Sequence, residues 1–71
     1  MERMWEYKIY KTDLGWSIYR KMENWKFIYM QFLNWHNGWT TNKEYAKIFY
    51  HRDKAESALI IMKAKDGKNT D

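Results

Sequence analysis

Few side chains in this sequence of 71 residues have the types and spacing that acid, base or metal chemistry requires. His36 and His51 are the only histidines, and neither belongs to a metal-binding motif. The serines lack the surroundings of a nucleophile elbow, and no glycine-rich loop could hold a phosphate. The carboxylates lie scattered along the sequence, without a pair that a shared cleft could tune for catalysis. Among them are Glu6, Asp13, Glu23, Glu44, Asp53 and Glu56. We therefore expect a protein that is not an enzyme and that holds no metal or cofactor.

Aromatic side chains offer a different chemistry, that of binding. They make up 20% of the residues, with five tryptophans and six tyrosines, and a small sheet with one helix cannot easily cover them all. Tryptophan and tyrosine dominate the hot spots of protein interfaces because they bring a large apolar area at small entropic cost. Alternation at strand spacing places most of them in a core. We expect at least one tryptophan to be left over for a protein partner.

Lysines beside aromatic residues indicate a second kind of binding. In "YKIYK" and "WKFIYM", the bases of a single-stranded nucleic acid could stack on the rings while the lysines contact phosphates. The formal net charge of +4 agrees with an acidic partner. Nucleic-acid binding is therefore the alternative function. Its candidate residues are Lys8, Tyr10, Lys11, Tyr19, Lys21 and Lys26.

The length limits the chain to a single domain with a small core. No cysteine is present, so neither a disulfide nor a thiolate zinc site can stabilise it. Charged residues interrupt the apolar positions of the N-terminus, unlike those of a signal peptide, and no segment approaches the roughly 20 apolar residues of a membrane span. These features predict a soluble cytoplasmic protein without membrane contact.

Hydrophobic periodicity predicts the strands that position these side chains. Alternation indicates strands at about residues 4–12 and 16–22, followed by turns at "TDLG" and "EN". The third strand, at about residues 25–36, is apolar on both parities, so it needs cover on both faces. The sequence leaves open which parity faces the helix.

The Asn37-Gly38 pair predicts a hairpin turn after the third strand, because both residues tolerate positive φ. Two registers fit the sequence. In a two-residue loop His36 opposes Trp39, and in a three-residue loop Trp35 opposes Trp39. In the second register the two tryptophans form a clasp across the hairpin.

The second half of the chain contains the helical signals. Thr41 and Glu44 have capping-box spacing, which predicts a short turn before a short strand at about residues 46–50. A helix at about residues 53–65 follows, with Gly67 as its stop and residues 66–71 as a frayed tail. The apolar stripe of this helix is Ala55, Ala58, Leu59 and Met62, and Ile60 lies on the opposite side.

These elements predict an α+β fold, an antiparallel meander sheet of three or four strands with one C-terminal helix on one face. The expected core residues are Trp5, Tyr7, Ile9, Ile18, Phe27, Tyr29, Leu33, Phe49, Leu59 and Met62. The opposite face of the third strand and the following turn form the candidate protein-binding surface, or else close a homodimer. Its residues are Ile28, Met30, Phe32, Trp35, His36 and Trp39.

The second half, "GWTTNKEYAKIFYHRDKAESALIIMK", resembles the ends of many small bacteriophage or prophage proteins. In these, a hairpin tryptophan is followed by an alanine, a phenylalanine and a capped helix with alanine on its inner face, at positions that match Trp39, Ala46, Phe49 and Ala55. The resemblance implies an accessory protein in the host cytoplasm that binds and inhibits a host protein or ribonucleoprotein complex, as anti-CRISPR proteins do. The positive net charge argues against mimicry of DNA and leaves binding to a protein or to a complex that carries nucleic acid.

Overall fold

The computed structural model describes residues 5–68, and it shows an antiparallel sheet that a helix covers on one side. The sheet order is β1-β2-β3-β4, so the strands form a meander. The elements are β1 (Glu6–Lys11), β2 (Trp16–Glu23), β3 (Ile28–Leu33), β4 (Trp39–Thr40), a 3-10 helix (Lys43–Tyr45) and α1 (Arg52–Lys68). The predicted α+β fold is confirmed. Met4, at the predicted start of the first strand, and residues 69–71 of the predicted tail lie outside the described residues.

Both predicted turns between the first three strands are present, and polar side chains hold them. Thr12 Oγ1 accepts a hydrogen bond from the Gly15 amide at 3.1 Å. Gly15 has a φ of 155°, and a Cβ there would collide with the Phe49 carbonyl oxygen, so a side chain does not fit. Asn24 Oδ1 accepts from the Phe27 amide at 2.7 Å. Because this turn extends the connection, β3 starts later than predicted.

The loop after β3 differs from both predicted hairpin registers. Trp39 opposes Leu33, so the loop is longer than either register requires. Asn34 explains the difference. Its backbone N–H donates to the Gly38 carbonyl at 2.9 Å, and its side-chain oxygen accepts a hydrogen bond from the Gly38 backbone N–H at 2.9 Å. These bonds make Asn34 the organising residue of the loop. Trp35 and Trp39 consequently form no clasp.

Residues 46–49 lie between the diverging ends of β2 and β3, where they make isolated bridges instead of the predicted short strand. Phe49 exchanges two backbone hydrogen bonds of 2.7 Å with Trp16. Ser17 is fully buried under this segment, and its hydroxyl donates to the Lys47 carbonyl at 2.9 Å. The small serine side chain therefore allows the segment to lie close to the sheet.

The helical segments begin and end at different residues from those predicted. The short turn is present, but Asn42 caps it instead of Thr41, by accepting a hydrogen bond from the Glu44 amide at 2.9 Å. α1 continues past the expected stop at Gly67. Asp66 is bonded to the sheet, which holds the last turn of the helix in place.

The core lies between α1 and the sheet face that α1 covers. The predicted helix stripe is confirmed, with Ala55 and Met62 buried and Ala58 and Leu59 packed beside them. Ile60 is 68% exposed on the opposite side. The predicted core residues found in this cluster are Ile9, Ile18, Leu33, Phe49, Leu59 and Met62.

Phe27 and Tyr29 are wrongly assigned to the core, because they are 57% and 48% exposed. Tyr29 pairs with Met22, which lies two residues beyond Arg20 along β2. The two β2 residues, Arg20 and Met22, are therefore roughly 7 Å apart along the strand. Asp66, near the end of α1, reaches only as far as Arg20. The helix therefore leaves the end of the β2–β3 hairpin uncovered.

The Arg20 side chain joins four elements of the fold and the residue before β1. Its Nη1 donates to Asp66 Oδ2 of α1 at 2.8 Å, and its Nε and Nη2 donate to Gln31 Oε1 of β3 at 2.9 and 2.6 Å. The guanidinium carbon also lies 4.1 Å from the ring centroid of Trp5 and 4.2 Å from that of Trp39 on β4. Distances of this size give favourable cation–π contacts, so both indoles are fixed by one cation.

Tyr7 shares the Asp66 carboxylate with Arg20, because its hydroxyl donates to the same oxygen. Burial, followed by this hydrogen bond to Asp66, raises the pKa of Tyr7 to about 12 from the ordinary value of 10.0. The neutral phenol is therefore the form that the folded chain prefers.

We expect Asp66→Ala to lower the free energy of unfolding by about 2 kcal/mol, because a charged, mostly buried acceptor is lost together with its hydrogen bonds from Arg20 and Tyr7. The matched control is Glu56→Ala, which removes the exposed ion pair with Arg52 at 3.1 Å and should change stability by less than about 0.5 kcal/mol. Urea unfolding followed by tryptophan fluorescence measures both values. Equal effects of the two substitutions would contradict the role of Asp66.

The raised pKa of Tyr7 predicts a loss of stability in alkali. The unfolded tyrosine ionises near 10.0 and the folded one near about 12, so the contribution is intact below the first value and disappears as the pH rises towards the second. Urea unfolding across this interval should show a steeper decline for the wild type than for Tyr7→Phe. Parallel declines in the two proteins would show that Tyr7 titrates as it does in the unfolded chain.

Candidate functional site

The most exposed apolar region of the described chain is the end of the β2–β3 hairpin. Five side chains there are exposed, to 87% for Trp25, 57% for Phe27, 66% for Ile28, 48% for Tyr29 and 41% for Met30. We call these five residues the tip surface. They are nearly consecutive, so the exposed side chains lie next to one another on one projecting hairpin.

The local sequence explains why this hairpin is apolar on both sides. Ile28 and Met30 pair with Glu23 and Lys21, so they lie on the outer face of the sheet. Tyr29 pairs with Met22 and lies on the helix face, since successive strand residues alternate between faces. α1 packs mainly across β1 and β2, and it covers neither side of the tip.

The tip also carries a cation. Lys26 Nζ lies 4.5 Å from the centroid of the Trp25 ring, and Phe27 and Tyr29 form a tilted pair with ring centroids 6.2 Å apart. Both are favourable contacts between exposed side chains.

The six residues predicted to bind protein do not form one surface. Ile28 and Met30 belong to the tip surface, whereas Phe32 is only 9% exposed, because Tyr10 and Tyr19 pack against it. Trp35 and His36 are exposed in the loop at the other end of β3. Trp39 lies on the helix face against Arg20, so it contributes to the fold.

Four of the six residues predicted to bind nucleic acid share the outer sheet face: Lys8, Tyr10, Tyr19 and Lys21. Lys8 pairs with Tyr19 across β1 and β2, and Lys43 Nζ lies 5.6 Å from the Tyr10 ring centroid. The other two residues lie elsewhere. Lys11 is on the helix face beside Trp16, and Lys26 is at the tip.

Acidic residues reduce the cationic character of this outer face. Lys21 forms an ion pair with Glu23 at 3.4 Å and lies opposite Glu6. The hydrogen bond to Glu23 is the main cause of the raised pKa of Lys21. Burial raises the pKa of Tyr10 on the same face. Because Lys21 is already paired with Glu23, a phosphate would compete with Glu23 for Lys21.

Sequence reasoning missed Trp25, Phe27 and Tyr29 as surface residues. The signal was present in "WKFIYMQF", which is apolar on both parities and therefore required cover on both faces. The predicted core includes Phe27 and Tyr29, and this requires helix cover on their face of the strand. In the structure the described part of α1 does not cover the tip.

Within residues 5–68, no group of histidines and carboxylates is placed to hold a metal ion. The helices of the same part of the chain are too short or too polar to cross a membrane. Comparison with family models, with curated proteins and with solved structures found no match to this chain.

Proposed function

We propose that this protein is a small protein-binding module and that the tip surface is its contact site. The observation that carries the proposal is the run of exposed apolar side chains from Trp25 to Met30. Contiguous apolar patches of more than a few hundred Å² are rare on monomers and mark interaction sites. Over the two faces of the hairpin and its turn together, the exposed fractions correspond to about 600 Å², at about 200 Å² for each large side chain.

The composition of the tip supports binding to a protein surface. Trp25 and Tyr29 are residue types that concentrate binding energy, and isoleucine and methionine beside them can fill apolar pockets. A projecting hairpin can enter a groove of a partner while the remaining domain blocks the groove's approaches. We therefore propose steric occlusion as the mode of action.

The resemblance to small phage proteins supplies the first partner to test, a host defence complex of the CRISPR type. The basic net charge of +4 is compatible with a complex that carries nucleic acid. The proposal is therefore an inhibitor in the host cytoplasm that binds the protein component through its tip surface.

An affinity capture from a lysate of the cells that encode the protein tests this proposal. The double variant Trp25→Ser, Ile28→Ser should retain at least about tenfold less partner than the wild type, because two candidate hot-spot residues are removed. The matched control is Tyr50→Ser, Ile60→Ser, which changes side chains exposed to 75% and 68% outside the tip. Nuclease-treated lysate should give the same result.

Equal retention by both double variants would show that the tip surface is not the contact site. Loss of every captured protein after nuclease treatment would contradict protein binding itself and favour nucleic acid. Circular dichroism of each variant confirms that the comparison is made between folded proteins.

The second candidate function is binding of single-stranded nucleic acid on the outer sheet face. The observation that favours it is the common location of Lys8, Tyr10 and Tyr19, with Lys43 close to the Tyr10 ring. Stacking platforms with adjacent cations bind bases and phosphates in this way.

This second function predicts a measurable salt dependence. If about three lysines contact phosphates, a plot of the logarithm of the association constant against the logarithm of the salt concentration should have a slope of about −2. Fluorescence anisotropy of a labelled oligonucleotide measures the slope, and Lys8→Gln should make it less steep, whereas Lys54→Gln on the helix should not. A slope near zero would exclude this function.

A further inference from the structure

We infer that a second copy of this chain pairs with the free edge of β3, so that two sheets join into one. β4 covers β3 only at Phe32 and Leu33, where Thr40 and Trp39 are the partners. Among residues 5–68, no strand lies beside residues 28–31 on that side. We call residues 28–31 the open edge.

The backbone groups of the open edge point in a known direction. Asn34 donates to Gly38 on the β4 side, and the Leu33 carbonyl accepts from Lys47 on the β2 side. Successive residues of an antiparallel strand direct their N–H and C=O groups to opposite sides. Ile28 and Met30 have the same parity as Asn34, so their backbone groups point away from β2 and are directed at the open edge.

The open edge lacks the devices that prevent strands from pairing between molecules. The chain contains no proline, and residues 27–33 contain no charged side chain. The other free edge of the sheet is different, since β1 carries Glu6, Lys8 and Lys11 in six residues. Charged residues on an edge strand oppose pairing, so the sequence protects β1 and leaves β3 unprotected.

A two-fold axis beside Tyr29 gives a register that fits both copies. Antiparallel pairing then places Tyr29 opposite Tyr29 of the second copy, and Ile28 opposite Met30 of the second copy. Ile28 and Met30 are the residues whose backbone groups face the edge, so each pair can exchange two hydrogen bonds. Opposed side chains are apolar and lie on the same face, which is the favourable arrangement across strands.

The charge of the open edge is compatible with a second copy of the same chain as the occupant. The net charge of +4 per chain repels at a distance, but the open edge itself is neutral.

Pairing also enlarges the proposed contact site. Ile28 and Met30 of both copies become neighbours on one continuous outer face, which a further protein can bind. Because the second copy lies at the tip surface, this inference rests on the proposed function. It specifies that the functional unit is a symmetric pair.

A single cysteine at the two-fold axis tests the inference, since the chain has no cysteine of its own. The two Tyr29 Cα atoms of the pair would lie about 4.5 Å apart, within the range of about 4.4 to 6.8 Å that a disulfide spans. Under mild oxidation the Tyr29→Cys variant should cross-link at least about tenfold faster than Ile60→Cys, because pairing raises the effective thiol concentration. Equal rates would overturn the inference.

Sedimentation of the unmodified protein gives the second measurement. A particle of twice the 8.9 kDa chain mass is expected, and it should dissociate in Met30→Lys, which places a cation on the open edge. Met30→Pro should dissociate it too, since its amide points away from β2 and proline is tolerated at such positions. Ile60→Lys should leave the pair intact. A wild-type monomer at all concentrations would overturn the inference.

The two proposals fail separately. A monomer that still captures a protein through Trp25 and Ile28 overturns the pairing and leaves the proposed function in place. A dimer that captures no protein supports the pairing and overturns the proposed function.

Discussion

The guanidinium of Arg20 is the interaction on which the arrangement of helix and sheet depends. It is one cation with two kinds of contact, hydrogen bonds to Asp66 and Gln31 in its plane and indole rings of Trp5 and Trp39 against it. A planar, permanently charged group can satisfy both at once, which an ammonium cannot do equally well. The contact also offsets a cost, because the Trp39 indole N–H is buried without a hydrogen-bond partner among the described residues.

The position of the Arg20–Asp66 contact determines which part of the sheet α1 covers and which part stays exposed. Asp66 is close to the end of α1, and Arg20 is in the middle of β2, so the helix is tied to the sheet before it reaches the hairpin end. Apolar residues on the helix side therefore divide into two groups. Ile18 and Leu33 lie within reach of the helix and are buried, whereas Tyr29 lies beyond it and is exposed.

Local patterns in the sequence predicted the elements well, and contacts between distant residues were the part that they could not supply. The stripe from Ala55 to Met62 and the turns at Gly15 and Asn24 follow from spacing and residue type, so strand order and helix position could be predicted. The loop register could not, because it also depends on the side chain of Asn34, which accepts a hydrogen bond from the Gly38 amide. Arg20 and Asp66 are 46 residues apart, and nothing local indicates that they meet.

A strand that is apolar on both parities can be covered on both faces by its own chain or by other molecules. Among residues 5–68, α1 covers one face of the sheet, and residues 46–49 occupy the end of the sheet next to Leu33. No described element is left for Ile28 and Met30 at the other end. Charged residues make up 31% of the chain, yet none lies within residues 27–33, although one charged side chain would make this exposed edge soluble and unreactive. The buried residues of β3 are Phe32 and Leu33. The core therefore does not require the exposed residues 28–31 of this strand to be uncharged.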